Sequence, residues 1–495
     1  LISTTLAVAV VAAWVVLGPV RTSAVALTGQ AASHPASASP TSARVTSGAV
    51  RNIPAGFVGL SMETDGLTTA GGPPGPFDPV LAQLIRNLSP GARPVLRIGG
   101  ESTDYSWWPV AKMPRPRGVH YTLTPAWLGE VRDLARATDA RLILGINLQS
   151  ASRRVAATEA GAMGAGIGNR WILGLEPGNE PELYLTLPAL NPSRPVQSSG
   201  QRVAAFDRLF AAVTDRLPGG ALAGPSIGSD RWLPYLGSFL RRNPRVRLAT
   251  VHRYPLKHCR RTTTNSIGAL LSDASSRGLA LSLRASVKAA HASGRALRVD
   301  EFNSVSCGGE AGVSNTFASA LWALNASFEM ARVGVDGINV HTRPLSLSQL
   351  FNLSRTGSVW RAAIRPEYYG LLAFATAAPA GSRLLRVIQP ATPGLHVWAT
   401  RTASGTEHVV VINATGRRHG LALRLPARGP FTATVLRAGA LGATRGVTLG
   451  GQSFDPSTTT GLLAGPHRAS VATPVKGRIE LHLAPASAVL LSGPA

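Results

Sequence analysis

Cysteine is nearly absent from the 495 residues, with only Cys259 and Cys307 present. Two cysteines are too few for a disulfide-stapled scaffold, and no spacing of further ligands around them completes a zinc site. Lysine is almost as scarce: Lys112, Lys257, Lys288 and Lys476 are the only four among 50 basic residues, set against 25 acidic ones for a formal charge of +25. The arginines are scattered among alanines and glycines, as a GC-rich coding bias would scatter them. No arginine-rich tail or basic stripe interleaved with aromatics occurs, so no nucleic-acid partner is expected. What the charge could do is raise the local concentration of an anionic substrate. The N-terminal apolar stretch, residues 6–20, falls short of the roughly 20 residues that a spanning helix needs.

The remaining composition is that of a globular chain, with 44% hydrophobic residues, 52 glycines and 36 prolines to punctuate short elements. Residues 1–26 read as a signal peptide, the apolar stretch being followed by small residues with cleavage after Ala26, or alternatively as a retained N-terminal anchor. Residues 27–42, rich in Ala, Ser and Pro, read as a flexible linker. Both alternatives imply a secreted or cell-surface protein. In that setting Cys259 and Cys307, each trailing an expected strand end, invite a disulfide between two neighbouring loops.

Eight short apolar runs follow: FVGLSMET, PVLRIGG, RLILGINL, WILGLEPGNE, ALAGPSIG, LATVHRYP, LRVDEFN and GINVHT. None alternates clearly, as expected of strands covered on both faces, and most gaps carry a helical pattern such as TPAWLGEVRDLARATD or QRVAAFDRLFAAVTDRL. Alternation of strand and helix implies a parallel sheet, and eight repeats imply an α/β fold, a (β/α)8 barrel over residues 57–380. From residue 381 to 495 the rhythm changes to LLRVIQP, LHVWATRT, EHVVVINAT, HGLALRLPA, FTATVLRAG and RIELHLAP, an antiparallel β-sandwich. Residues 43–56 have strand content and are a candidate to join that sandwich.

The strings LEPGNEPELY and ALRVDEFNSVSCGG carry the chemistry. By the strand count Glu180 ends the fourth strand and Glu301 the seventh, so closure of the barrel brings both to the C-terminal mouth, where such barrels keep their reactive groups. Two facing carboxyls are what glycoside hydrolysis requires: one protonated, to donate to the leaving oxygen, and one ionised, to attack the anomeric carbon. Glu180 is assigned as acid/base and Glu301 as nucleophile. Glu176 and Asp300 are rivals, but strand alternation should turn Asp300 away from Glu301.

The ordered series IPAGFVGLSMETDGL, LRIGGESTDYSWW, LEPGNEPELY, VHRYP, VDEFNSVSCGG and IRPEYYGLLAF resembles glycoside hydrolase family 79, the β-glucuronidases and heparanase-like enzymes of the large retaining barrel clan. The resemblance runs from about Arg51 to the C-terminus. It implies a barrel with a β-sandwich domain, no metal or organic cofactor, no obligate protein partner, and hydrolysis of β-linked glucuronic acid or its 4-O-methyl form with retention. A glucuronic-acid-containing glycan or glycoconjugate would be the partner. On the resemblance, Asn179 would bind the sugar 2-hydroxyl, Tyr254 would hold the Glu301 carboxylate, and Glu63 and Asp104 would bind sugar hydroxyls. Arg97 would point into the barrel beside the catalytic pair. Backbone N–H groups of Gly308 and Gly309 would accept the uronate carboxylate. Tyr105, Trp107, Trp108 and Tyr184 could stack on sugar rings or an aglycone.

Two departures bear on specificity. The loop after the eighth strand, HTRPLSLSQLFNLSRTG, lacks the tyrosine that the family supplies there, Arg343 being either a charged replacement for it or simply a solvated arginine, and Glu101 stands where the family has Asn or Thr. The alternatives are therefore a retaining glycosidase for a neutral β-linked sugar, a heparanase-like endo-hydrolase, and, from another class, a non-catalytic glycan-binding surface protein. Both carboxylates being intact argues against the last.

Overall fold

Short runs of apolar residues, buried along nearly their whole length, close into a parallel barrel in the computed structural model, which describes residues 41–67, 78–193, 198–259, 265–389, 391–426 and 429–495. The leader at 1–26 and the linker up to residue 40 lie outside the described residues. The barrel strands are β1 (Val58–Glu63), β2 (Val95–Gly99), β3 (Arg141–Ile146), β4 (Ile172–Pro177), β5 (Leu222–Ile227), β6 (Val246–Arg253), β7 (Ala296–Phe302) and β8 (Gly337–His341). They run in sequence order around the ring, with β8 closing on β1. All eight expected runs are barrel strands.

Alternation along the strands sorts the side chains. Leu60, Leu96, Ile98, Leu142, Leu144, Val299 and Ile338 point outward into the large core shared with the surrounding helices. Val95, Ile143, Ala223 and Leu248 form a separate small apolar cluster. On the same strands, nearer the C-terminal end, Ser61, Arg97, Glu176, Ser226, Thr250, His252 and Asp300 are all buried and polar. The barrel interior thus changes from apolar to ionisable towards its mouth.

The helices begin where the sequence supplies caps. Thr124 caps Pro125–Thr138, and Ser198 with Gln201 forms a capping box on Ser199–Thr214. The helix Phe317–Val333 is buried from Phe317 through Ala331, in keeping with its apolar residues on every face. Phe328 on this helix stacks on Trp398, whose indole N–H donates to Asn325 Oδ1 at 2.9 Å, so the helix is also the seam with the C-terminal sheet.

That sheet contains Arg383–Ile388, Leu395–Arg401, Thr406–Asn413, His419–Arg424, Phe431–Arg437, Arg478–Leu483 and Ser487–Pro494, and it folds over a core of its own that includes Val397, Val411, Leu423, Phe431 and Leu491. Thr41–Asn52 inserts between Arg383–Ile388, to which it is antiparallel, and His419–Arg424, to which it is parallel. The sheet is therefore mixed at this one seam and antiparallel elsewhere. The inserted strand starts at Thr41, inside the stretch read as linker. Two further elements were not legible. Ser487–Pro494 sits centrally, between Thr406–Asn413 and Phe431–Arg437, so its run AVLL is covered on both faces and does not alternate. The stretch read as the eighth loop, residues 341–357, runs into a hairpin: its Phe351–Thr356 pairs with Val359–Ile364 just beyond it.

The buried helix Phe317–Val333 packs against Pro366–Ala377 through Gly370, where a Cβ would stand 2.0 Å from the Ala320 carbonyl oxygen. Gly370→Ala must push the two helices apart. It is expected to lower the unfolding free energy by about 1–3 kcal/mol in a denaturant titration.

Candidate active site

Beyond β4 the chain turns through Gly178 and Asn179 into Glu180, whose backbone is left-handed at φ 44°, ψ 58°. For a residue with a Cβ this conformation costs about 1–2 kcal/mol. It is held by the Glu180 N–H donating to the Ser226 carbonyl at 2.9 Å. The carboxylate then reaches the His252 ring, with Oε1 3.0 Å from Nδ1. Gly228 makes room, since a Cβ there would lie 2.6 Å from Glu180 Oε1.

Glu301 approaches from β7. Its Oε1 accepts from the Tyr254 hydroxyl at 2.7 Å, and its Oε2 accepts from Arg97 Nη1 at 2.9 Å. One ligand atom each of Glu180, His252 and Glu301 lies within 4.8 Å of the others. The three have the donor set of a divalent-cation site, but the fixed positive charge of Arg97 beside Glu301 opposes a cation there.

Burial alone would raise the Glu301 carboxyl, yet the charges of His341, His252 and Arg97 and the Tyr254 hydrogen bond outweigh it and hold it well below the usual carboxylate range. Burial together with the Glu301 charge pushes the Tyr254 phenol well above its usual value. The two shifts describe one arrangement, an ionised carboxylate receiving a proton that the phenol keeps. Arg97, 0% exposed, also donates through Nη2 to Asn179 Oδ1 at 2.8 Å.

Three sequence expectations need correction. Asp300 does not turn away from Glu301. A register shift between Val299 and Glu301, seen against β6, breaks the alternation, and Asp300 Oδ2 comes within 3.3 Å of Arg97 Nε inside the barrel. Asp104 has both carboxylate oxygens engaged by protein. Its Oδ1 accepts from the Leu148 and Gln149 N–H groups, and its Oδ2 from the Asn179 N–H and from the Tyr184 hydroxyl at 2.6 Å. All four are protein donors, so the carboxylate ties together the loops after β2, β3 and β4. Tyr184 and Trp107, at 3% and 6% exposure, are packing residues and offer no sugar platform.

Glu63 is also engaged by protein, with Oε2 accepting from the Ser102 N–H at 2.9 Å and Oε1 3.4 Å from His341 Nε2. Cys259 and Cys307 form a disulfide, joining the loops after β6 and β7. Just beyond it Gly308 and Gly309 have φ of 87° and 89°, values open to glycine, and the Gly308 carbonyl accepts from the Leu347 N–H at 2.7 Å, attaching the loop after β8.

His252, Ser226 and Glu182 were missed. His252 could have been found: it stands two residues before Tyr254 and so shares its face of the strand. Ser226 Oγ lies 2.9 Å from His252 Nε2 and accepts from Arg97 Nη2 at 3.1 Å. Glu182 accepts from the Ser229 N–H at 2.6 Å, and burial followed by the nearby Glu180 charge pushes its carboxyl up to about 7. Nothing in the sequence marks these last two, whose role depends on the approach of the β4 and β5 ends.

No protein-family model matches the sequence, and none of the curated proteins searched matches it. Among solved structures, the 4-O-α-L-rhamnosyl-β-D-glucuronidase from Fusarium oxysporum 12S superimposes with a TM-score of 0.75 at 19% identity, over 91% of this chain and 100% of that one. The GH51 arabinofuranosidase from Xanthomonas axonopodis pv. citri gives 0.63 at 15% identity, over 92% and 99% of the two chains. The α-L-arabinofuranosidase from Thermotoga maritima gives 0.63 at 13%, over 92% and 100%. At these identities the likeness is one of fold, a (β/α)8 barrel with an attached β-sheet domain.

Removing the Asp104 carboxylate leaves three N–H groups, one buried and two half-buried, and a buried phenol without their acceptor. Asp104→Ala is expected to lower stability by about 2–4 kcal/mol, read as a fall in the urea midpoint. A residue that only touched ligand would leave that midpoint in place.

Proposed function

We propose that the chain is a retaining glycoside hydrolase that removes β-linked glucuronic acid, or its 4-O-methyl form, from a glycan or glycoconjugate. The observation that carries the reading is the separation of the two carboxylates, with oxygens of Glu180 and Glu301 within 4.8 Å. Retaining enzymes hold their carboxyls about 5–5.5 Å apart, and inverting ones leave room for a water between them at about 6.5–9.5 Å. Glu301, kept ionised by Arg97, its histidine neighbours and Tyr254, attacks the anomeric carbon and forms a glycosyl ester. Glu180 gives its proton to the departing oxygen. In the second half-reaction Glu180 takes a proton from water, which cleaves the ester and frees Glu301.

Recognition of the uronate is assigned to the Gly308–Gly309 backbone N–H groups, because a left-handed glycine pair lets the main chain approach an anion closely. Support comes from the motif series and from the fold shared with the Fusarium glucuronidase. The disulfide suits an extracytoplasmic setting, and among the described residues no helix is long and apolar enough to cross a membrane. A second reading, a neutral β-linked sugar, is favoured by Glu101. Its carboxyl is raised by partial burial and by the charges of Glu63, Glu180 and Glu301, with Arg343 opposing, which puts it close enough to the pair to repel an acidic sugar whenever it is ionised.

The test compares matched nitrophenyl β-glucuronide, β-glucoside and β-galactoside. Turnover of the glucuronide alone is expected; turnover of a neutral sugar instead would transfer the reading to the second one. Glu301→Ala should fold normally and show no turnover, and unchanged activity in it would sink the mechanism. Glu180→Ala should lose about 10²–10⁴-fold on substrates with poor leaving groups and far less on nitrophenyl ones, which need little protonation.

A further inference from the structure

We propose that Asp300 and Glu176 hold one proton and one negative charge between them beneath the nucleophile, which makes Asp300 a positioning residue for Glu301. The argument is a count of donors. A guanidinium has five N–H groups. Those of Arg97 reach Glu176 Oε2 from Nε at 2.7 Å, Ser61 Oγ and Glu301 Oε2 from Nη1 at 3.2 and 2.9 Å, and Asn179 Oδ1 and Ser226 Oγ from Nη2 at 2.8 and 3.1 Å. Five acceptors take five donors, and none is left for Asp300.

The other faces supply no donor either. His252 Nε2 is 3.6 Å from Asp300 Oδ1, beyond a hydrogen bond, and lies 2.9 Å from Ser226 Oγ. Arg298, whose charge also acts on Asp300, spends its N–H groups on Asn339 and on the Gly56, Phe57 and Ile338 carbonyls. Both Asp300 oxygens and Glu176 Oε1 are buried without a hydrogen-bond partner. Two fully buried carboxylates with three orphaned oxygens are too costly to keep both ionised. One proton placed on Asp300 makes its O–H a donor that Glu176 Oε1 can accept, satisfying both groups at once.

The closer contact of Arg97 with Glu176, 2.7 Å against 3.3 Å for Asp300, puts the charge on Glu176 and the proton on Asp300. The direction of the two shifts agrees, Asp300 being raised by burial and by the Glu176 charge, and Glu176 being lowered once Arg97 overcomes its burial. The consequence for chemistry rests on the glycosidase reading. With a single charge on the floor, Arg97 is not shared among three carboxylates, and its other arm stays with Glu301.

The test needs no substrate, so its failure and that of the glycosidase reading are separable. Infrared spectra of resting protein labelled with 13C-aspartate should contain, at neutral pH, a protonated-carboxyl carbonyl band that moves with the label. That band should vanish in Asp300→Asn and equally in Glu176→Gln, because in the latter Asp300 takes over the charge beside Arg97. A band that survives Glu176→Gln would show Asp300 to be neutral on its own and overturn the sharing. Absence of a labelled band from the wild-type protein would overturn the proposal whether or not either variant folds.

Discussion

Everything at the barrel mouth is referred to one buried guanidinium. Arg97 lies on β2, close to the apolar plug of Val95, Ile143, Ala223 and Leu248, and its fork reaches side chains from β1, β4, β5 and β7. A planar group with fixed donor directions imposes those directions on its acceptors, which a flexible ammonium would not do. Its position therefore fixes Glu301, Asn179 just before Glu180 and the serine beside His252 with respect to one another. The charge matters as much as the shape. In a barrel interior with four carboxyls near the mouth, a single permanent cation decides which of them can be ionised.

The carboxylate pair is further held by two separate systems of bracing. On one side Asp104 ties the loops after β2, β3 and β4, and Glu182 extends that tie to the loop after β5 through the Gly228 and Ser229 N–H groups. Glu180 belongs to this half. On the other side the Cys259–Cys307 disulfide and the bond from the Leu347 N–H to the Gly308 carbonyl join the loops after β6, β7 and β8. Glu301 and Tyr254 belong to that half. Arg97 and His252 connect the halves, so the distance between the two carboxylates is a property of the barrel wall more than of any loop.

The fold was legible because each barrel strand is a local event: a short apolar run, bounded by turns, with a helical pattern after it. The two carboxylates were legible for the same reason, as residues at strand ends. What was not legible depends on register. Asp300 and Glu301 share the barrel interior because of a bulge between Val299 and Glu301, and no residue type announces a bulge. Asp104 looks like a sugar ligand in sequence and is a loop brace in space, because its partners come from three different strand ends. The strand Ser487–Pro494 escaped because a central strand reads as a plain apolar run.

The chain's charge and its site point in opposite directions, and the difference decides what the charge can mean. The surface carries an excess of arginine, while the mouth gathers Glu63, Glu101, Glu180 and Glu301 around the buried Arg97. Beyond roughly 8–10 Å surface charges are screened at ordinary salt, so the excess acts on the encounter with an anionic partner and barely on the bound sugar. Within the pocket only near groups count, and on the proposed function Glu101 would work against an acidic sugar and Arg343, whose charge acts on Glu101, would offset it. The global charge is thus no argument for a uronate at the cleavage point. On the proposed function, specificity would rest on the balance of those two side chains and on how closely the Gly308–Gly309 backbone can approach a carboxylate.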